Sequence, residues 1–169
     1  LFCFHLARVP ARFEDQKLVS FFRQDRTLWS QELLQRGFGL LVKPTTLNRY
    51  HLEAIITSKH MTATSYDHSH WEDILACYDR LLTILHSPIV IMNRAFVLYK
   101  LSRTKEALQV LKDIQGLVPA KNLYYSLIMG ELLSDSDPNT AKHWYIQAAK
   151  VSTQSFRREH IERIVKHSE

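Results

Sequence analysis

The chain has 169 residues, of which 46% are hydrophobic and 23% charged, so it suits one globular domain with a sizeable core. Its 4 glycines and 5 prolines are too few for the frequent turns of an all-β fold. The formal net charge of +5 favours acidic partners such as nucleic acid or an acidic protein surface, but it equally fits a mildly basic domain without such a partner.

The cysteines and the apolar runs of the chain indicate its compartment. No apolar run approaches the roughly 18 residues needed to cross a bilayer, and no signal-peptide pattern opens the chain. Cys3 and Cys77 are the only cysteines, a sparse pair that is typical of a reducing compartment, with a disulfide left open. We therefore expect a cytoplasmic protein without a membrane segment. Because Leu1 lies inside an apolar helical pattern, we also expect a fragment of a longer chain.

Residues 1–24 are predicted to be the end of a helix followed by a connector. The apolar run LFCFHLARV stops at Pro10, which cannot continue a helix. A helix closed by Pro44 is predicted within the segment QDRTLWSQELLQRGFGLLVKP. Gly37 and Gly39 lie inside it, and each costs roughly 1 kcal/mol of helix stability relative to Ala. Both glycines therefore predict close approach of a neighbouring helix.

Two further helices are predicted on either side of a polar loop. The first is the pattern LNRYHLEAIITSKHMTA, residues 47–63. The second follows a capping box, in which Ser69 is the N-cap and Glu72 lies three residues on. Its apolar face starts at Trp71. Residues 25–86 are therefore predicted to be a helical but irregular half of the domain.

The rest of the chain is organised around residues 87–119, SPIVIMNRAFVLYKLSRTKEALQVLKDIQGLVP. Ser87 and Pro88 predict an N-cap and a first helical residue, and the apolar run behind them predicts a helix buried on nearly every side. A short turn and an amphipathic helix follow. Gly116, as a C′ glycine, and Pro119 are predicted to end that helix. The unit is a helical hairpin.

An internal repeat begins in the second helix of this hairpin. Ala107, Leu111 and Ile114 are matched 34 residues later by Ala141, Tyr145 and Ala148. This spacing is the tetratricopeptide (TPR) period, and small residues such as Ala107 and Ala141 let two helices approach. Residues 87–169 are therefore predicted to be two degenerate TPR-like units plus a C-terminal helix. The predicted fold class is all-α: one compact domain of antiparallel helical hairpins, stacked as a TPR-like right-handed array of about eight or nine helices.

The motifs of catalysis are sparse. Four histidines fall close together in the chain: His51, His60, His68 and His70. No Cys or carboxylate pair at a zinc-like spacing joins them, so solvated loop histidines are favoured over a metal site. The chain contains no Gly-rich phosphate loop, no GxSxG and no HExxH. We expect no enzyme activity, no metal and no cofactor.

Polar residues in two places leave a structural and a functional interpretation open. Asn93 and Arg94 are adjacent in the most apolar helix, where they either tie the helix to its neighbours or face a groove for a partner peptide. Gln24, Asp25 and Arg26, which precede Trp29, form either a helix-start network with Asp25 as cap, or a recognition edge. In the basic C-terminal helix the arginines alternate with glutamates. This pattern indicates a solvent-exposed face rather than a nucleic-acid-binding one.

Several blocks, in order, carry a family resemblance. They are LFCFHLARVPARF, QDRTLWSQELLQRG, YHLEAI, Trp71 before ILACYDRLL, SPIVIMNRAFVL, and YY…GELL…AKHWYIQAAKVS. Together they resemble the C-terminal TPR-like extension of a subclass of extracytoplasmic-function (ECF) RNA polymerase sigma factors. The resemblance covers essentially the whole chain. No helix-turn-helix for promoter reading is found, so this segment is expected to lack the promoter-binding domains.

The resemblance implies a regulatory or protein-interaction domain that acts in transcription initiation. Its implied partners are the sigma core domains in cis and RNA polymerase, with promoter DNA contacted only through the absent sigma domains. The alternative is a stand-alone TPR-like adaptor or scaffold that binds a peptide or helix of a partner protein. The residues hypothesised to bind a partner are Asn93, Arg94, Tyr99, Tyr124 and Tyr125. The residues expected to be structural are Asp25, Arg26, Trp29, Trp71, Pro88, Ala107 and Ala141.

Overall fold

The computed structural model describes residues 1–15, 17–41, 47–153 and 155–167, and helices dominate all of them. The α-helices in these ranges are α1 Phe2–Ala7, α2 Gln31–Gly39, α3 Arg49–Thr62, α4 His68–Leu82, α5 Pro88–Lys100, α6 Thr104–Asp113, α7 Leu123–Leu133, α8 Pro138–Val151 and α9 Ser155–His167. Short 3₁₀ turns cover Val9–Ala11, Phe21–Arg23, Arg26–Leu28 and Gln115–Leu117. The predicted all-α class and helix number are confirmed for the described residues. Pro44, the predicted end of the helix that is α2, lies outside them.

The chain forms two compact units, Leu1–Leu85 and His86–Glu169, which we call the N-terminal and C-terminal units. None of the helices that the structure describes is long and apolar enough to cross a bilayer. The predicted division into regions 1–24, 25–86 and 87–169 stays a prediction.

The N-terminal unit pairs α1 with α2 and α3 with α4. Gly37 of α2 faces the fully buried ring of Phe4, and a Cβ added there would lie 2.7 Å from Phe4 Cε1. The predicted close approach at Gly37 is therefore confirmed. At Gly39 the prediction is wrong, because an added Cβ at this exposed end of the helix meets no neighbouring atom within 4 Å in the described part of the chain.

A small hairpin in the N-terminal unit was not expected from the helical pattern. Strand β1, Phe13–Glu14, pairs antiparallel with β2, Lys17–Leu18. Asp15 follows β1 with a φ of 48°, the left-handed conformation that tight turns require. Two-residue strands have too little alternation to be recognised from sequence.

Side-chain caps begin three helices of the N-terminal unit. Ser30 Oγ accepts a hydrogen bond from the backbone N–H of Leu33 at the start of α2. At the start of α3, Asn48 Oδ1 accepts one from the backbone N–H of His51. The predicted capping box at Ser69 is wrong, because Asp67 is the N-cap of α4 and accepts from the N–H of His70 at 2.9 Å. A carboxylate at this position is also stabilised by the positive end of the helix dipole. With Asp67 as its cap, α4 starts before Ser69.

In the C-terminal unit, α5 pairs with α6, α7 pairs with α8, and α9 packs on α8. All six repeat residues are buried, at 5% exposure or less: Ala107, Leu111, Ile114, Ala141, Tyr145 and Ala148. Gly130 of α7 adds a second close approach, since a Cβ there would lie 2.8 Å from Tyr145 Cε1. The predicted hairpins and the 34-residue repeat are thus present in this unit.

The predicted ends of α5 and α6 are only partly correct. Ser87 and Pro88 start α5 as expected, although the Ser87 side chain makes no cap hydrogen bond. The helix is not buried on nearly every side, because Ile89 is 65% exposed. At its C-terminus, Ser102 takes the left-handed conformation with a φ of 61°. Gly116 is not a left-handed C′ glycine, because α6 runs on into a 3₁₀ turn that contains it.

Candidate partner-binding surface

Helices α5 and α7 of the C-terminal unit contact each other and present polar and aromatic side chains to solvent. On α5, Asn93 and Lys100 are exposed and Phe96 is half-buried. These residues recur at helical spacing with the exposed Ile89, so they form one stripe. On α7, Tyr124 is 60% exposed. We call these five residues the α5–α7 surface: Ile89, Asn93, Phe96, Lys100 and Tyr124.

Two cations lie against aromatic rings at this surface. The Lys100 Nζ lies 5.0 Å from the ring centre of Phe96 and 4.9 Å from that of Tyr99. The Arg157 guanidinium of α9 lies 6.0 Å from the ring centre of Tyr124. Such cation–π contacts contribute about 0.5–1 kcal/mol at exposed sites. They order the rings and leave positive charge beside apolar area.

A half-buried carboxylate holds α5, α7 and α8 together below this stripe. Tyr145 of α8 donates its hydroxyl hydrogen bond to Glu131 Oε2 of α7 at 3.3 Å, and Tyr99 of α5 also hydrogen-bonds to Glu131. Burial raises the pKa of both tyrosine hydroxyls, and the negative charge of Glu131 raises them further. Both phenols therefore stay protonated at neutral pH and act as donors.

Arg94 and Tyr125 lie between helices. Arg94 Nη2 of α5 lies 3.7 Å from Glu106 Oε1 of α6. Tyr125 is 5% exposed and donates its hydroxyl hydrogen bond to the backbone carbonyl of Leu111 at 3.1 Å. Of the five residues hypothesised to bind a partner, the structure thus exposes Asn93 and Tyr124, half-buries Tyr99, and places Arg94 and Tyr125 in contacts inside the unit.

The Gln24-Asp25-Arg26 triplet makes contacts within the N-terminal unit. Gln24 accepts a hydrogen bond from Arg8 Nε at 3.1 Å, and Asp25 Oδ1 caps a 3₁₀ turn by accepting from the N–H of Thr27. The Arg26 guanidinium donates to the backbone carbonyl of Ala63 and, at 3.4 Å, to the Tyr66 hydroxyl. These contacts are those of the helix-start network rather than of a free recognition edge.

An aromatic cluster fills the N-terminal unit beside this network. Its members are Phe21, Phe22, His60, Tyr66, His70 and Trp71, and we call it the His60 cluster. The His60 ring centre lies 5.7 Å from that of Phe21, and 5.9 Å from those of both His70 and Trp71. The predicted structural residues Trp29 and Trp71 are 4% and 6% exposed, and Trp29 packs 5.8 Å from Phe21.

Sequence reasoning missed Glu131 and the His60 cluster. Glu131 follows Gly130 in an apolar helix, and an acidic residue in such a helix was the available signal. His60 and His70 were treated as solvated loop residues, but His60 lies in α3 and His70 in α4. Among the described residues, no group of three or more His, Cys, Asp or Glu side chains is arranged to hold a metal ion.

A shallow groove of about 500 Å³ lies between α8 and α9 of the C-terminal unit. Its lining residues are Ile146, Ala149, Lys150, Arg158, Glu162 and Val165. Arg158 is committed to this region, because it donates a hydrogen bond to the backbone carbonyl of Ser152 at 2.8 Å. The groove mixes both signs of charge with a small apolar floor, which selects no single ligand class.

Comparisons with known proteins support only part of the resemblance drawn from the sequence. Residues 1–44 match a family of unknown function, DUF6596. The chain is also 29% identical over 131 residues to an uncharacterized protein of Rhizobium meliloti (strain 1021), an alignment that covers 75% of this chain. The chain spans 31% of the length of that relative. No solved structure matches the chain.

Proposed function

We propose that this chain is a regulatory, protein-interaction domain of an ECF-type RNA polymerase sigma factor and acts in transcription initiation. The observation that carries the proposal is the α5–α7 surface, an exposed apolar and polar stripe on two successive repeat hairpins. The block-by-block resemblance of the sequence supports the assignment to transcription. In this proposal the partners are the sigma core domains in cis and RNA polymerase, and promoter DNA is contacted by sigma domains outside these 169 residues.

The chemistry of the α5–α7 surface suits a protein partner. Exposed Tyr124 and half-buried Phe96 supply rigid aromatic area, which protein interfaces favour. Asn93 offers hydrogen bonds and Lys100 a positive charge, both at positions that solvent reaches. An amphipathic helix or extended segment with an acidic residue would complement this combination.

The Glu131 network supports the surface from below. It joins Tyr99 and Tyr145 through one carboxylate, so the spacing of α5 and α7 is fixed before a partner binds. A preformed surface loses less conformational entropy on binding than a mobile one. We therefore assign Glu131 a positioning role in partner binding.

The test is a transcription assay with the full-length protein, with the protein lacking these 169 residues, and with the variant Asn93→Ala/Tyr124→Ala. Both changes are expected to alter initiation, and the double variant should keep the wild-type unfolding curve because both side chains are exposed. Tyr50→Ala is the matched control, since Tyr50 is 68% exposed in the N-terminal unit. If deletion leaves initiation unchanged, the domain does not regulate a sigma core.

A second measurement separates the stand-alone adaptor from the sigma regulator. The purified domain is mixed with the separately purified remainder of the same protein, and complex formation is followed by calorimetry. Binding that Asn93→Ala/Tyr124→Ala weakens by about tenfold or more, a loss of about 1.4 kcal/mol, supports regulation in cis. Absence of binding, together with unchanged initiation, would favour an adaptor whose partner is another protein.

A further inference from the structure

The His60 cluster packs two imidazole rings among aromatic rings and near two guanidinium groups. His60 and His70 ring centres are 5.9 Å apart, and each also lies within 6.0 Å of the Tyr66 and Trp71 ring centres. His60 Nδ1 and His70 Nε2 are buried without a hydrogen-bond partner among the described residues. A proton added to either ring atom would therefore place a charge where the described structure supplies no acceptor.

Cationic groups act on His60, whereas charges of both signs surround His70. Within the described structure, the groups whose charges act on His60 are His70 of α4 and Arg8, the residue that follows α1. Arg8 itself lies 4.2 Å from the ring centre of Phe21, and Arg26 from the neighbouring 3₁₀ turn donates to Tyr66. Around His70, the cation Lys59 opposes the carboxylates of Asp67 and Asp73.

From this arrangement we propose that the His60 cluster is an acid-sensitive lock, which keeps the N-terminal unit closed while both imidazoles are neutral and opens when His60 gains a proton. A protonated His60 would carry its charge in a largely buried site where water cannot hydrate it. The positive charges of Arg8 and of a protonated His70 would also repel it. Tyr66 donates its hydroxyl hydrogen bond to the backbone carbonyl of His60 at 3.2 Å and packs against the His60 ring. Movement of His60 would disrupt both contacts. Opening exposes Phe21 and Trp71 to solvent.

The titration of both rings follows from the same surroundings. Burial, then the charges of His70 and Arg8, lower the pKa of His60 to about 4 from its ordinary 6.5. Burial and Lys59 lower the pKa of His70, against the opposing effect of Asp67 and Asp73. Because the folded pKa is lower than the unfolded one, the stabilisation is present above pH 6.5 and declines as the pH falls toward 4.

The size of the effect follows from linkage. For a single group with these two pKa values, the unfolding equilibrium constant of the N-terminal unit rises about 20-fold between pH 7 and pH 5. Residual structure in the unfolded chain would reduce this factor. The effect belongs to the N-terminal unit alone, so it is distinct from binding at the α5–α7 surface.

The experiment uses the full chain carrying Trp144→Phe, which leaves Trp29 and Trp71 as fluorescence reporters of the N-terminal unit. Urea unfolding is measured at pH 7 and pH 5. In this background the unfolding constant should rise about 20-fold on acidification, and His60→Gln should reduce the rise to less than about fivefold. His68→Gln is the matched control, because the His68 side chain is 74% exposed, and it should keep the full rise.

Two results would overturn the proposal. One is an equal pH dependence in the His60→Gln and His68→Gln proteins. The other comes from an NMR titration of the His60 Cε1 proton in the otherwise unaltered protein. This measurement keeps the proposal testable if His60→Gln fails to fold. A midpoint below about 5 supports the lock, and a midpoint near the ordinary value of about 6.5 removes it.

Discussion

The two units of this chain solve the problem of packing short helices in different ways. In the C-terminal unit, Ala107, Ala141 and Gly130 remove side-chain volume where helices meet. The N-terminal unit also has such a contact, at Gly37, and adds aromatic rings, arginine hydrogen bonds and short 3₁₀ turns. A repeated backbone can reuse the same small-residue contact, whereas an irregular backbone needs a specific partner at each point. The N-terminal unit should therefore be more sensitive to single polar changes and to pH.

The largest expected effect tests a type of contact found inside each unit, a helical glycine packed against an aromatic ring. In Gly130→Ala and Gly37→Ala the added methyl group overlaps the buried ring of Tyr145 or Phe4, which costs about 1–3 kcal/mol. Replacing a helical glycine returns roughly 1 kcal/mol, so each variant should lose up to about 2 kcal/mol of stability in its unit. Urea unfolding followed by Trp144 reports the C-terminal unit, and Trp29 and Trp71 report the other.

Gly39→Ala is the matched control for Gly37→Ala, since both glycines belong to α2 and an added Cβ at Gly39 meets no atom within 4 Å. It should be neutral or stabilising by up to about 1 kcal/mol. Equal effects of Gly37→Ala and Gly39→Ala would mean that the close approach to Phe4 does not limit stability.

The next effect concerns the dependence of the N-terminal unit on arginine. Arg26→Met should cost about 1–1.5 kcal/mol, because the carbonyl of Ala63 and the hydroxyl of Tyr66 both lose a donor. Arg94→Met in the C-terminal unit should cost less than about 1 kcal/mol, since its Glu106 partner is partly exposed. Thermal unfolding of the two variants is the measurement. A larger loss for Arg94→Met would reverse the comparison.

A smaller effect separates the units at alkaline pH. Burial and Glu131 raise the pKa of Tyr145 above its ordinary value of 10.0, so the neutral phenol stabilises the fold. That stabilisation is complete below pH 10 and is lost as the pH rises further. Tyr145→Phe should cost about 1 kcal/mol at pH 7 and should make the C-terminal unit less sensitive to pH above 10. Unfolding followed by Trp144 at pH 8 and pH 11 decides this, with Tyr50→Phe as the exposed control.

The smallest effect concerns a strained turn in each unit. Ser102 and Asp15 have φ values of 61° and 48°, a region that glycine enters without steric cost. At Ser102, the N–H groups of Ser102 and Arg103 bond back to the carbonyls of Tyr99 and Leu98, the pattern of a helix C-terminus that usually carries glycine. Ser102→Gly should stabilise the C-terminal unit by about 0.5–1 kcal/mol. Ser136→Gly is the control, because Ser136 does not have a positive φ and its replacement by glycine should not stabilise the unit.

Much of the local structure could be predicted because it depends on neighbours in sequence. Helical spacing of apolar residues and Pro88 at a first turn act over a single turn of chain, and the structure contains both of them. The start of α4 could not be predicted with the same rule, since Asp67 and Ser69 both satisfy the cap pattern. Only the actual backbone conformation decides between two cap candidates that lie two residues apart.

The candidate surface depends on contacts across larger separations. The residues around Tyr125 in the sequence do not indicate that its hydroxyl donates a hydrogen bond to the backbone carbonyl of Leu111. Nor do they indicate that the neighbouring Tyr124 is exposed to solvent. Likewise, Glu131 gains its role from tyrosines 32 residues before it and 14 residues after it. The direction in which each side chain points follows from how helices cross, and periodicity does not define that crossing.

The amino-acid sequence by itself determined the all-α class, the 34-residue spacing and some of the helix starts, because apolar periodicity and capping are local properties. The tertiary structure alone decided the fate of the polar and aromatic residues. His60 and His70, interpreted as solvated loop residues, share one aromatic cluster because α3 and α4 pack together. Asn93, for which a structural and a partner-binding interpretation were both open, faces solvent because α5 buries its other side. Burial and charge depend on which helices meet, and that is a property of the folded chain.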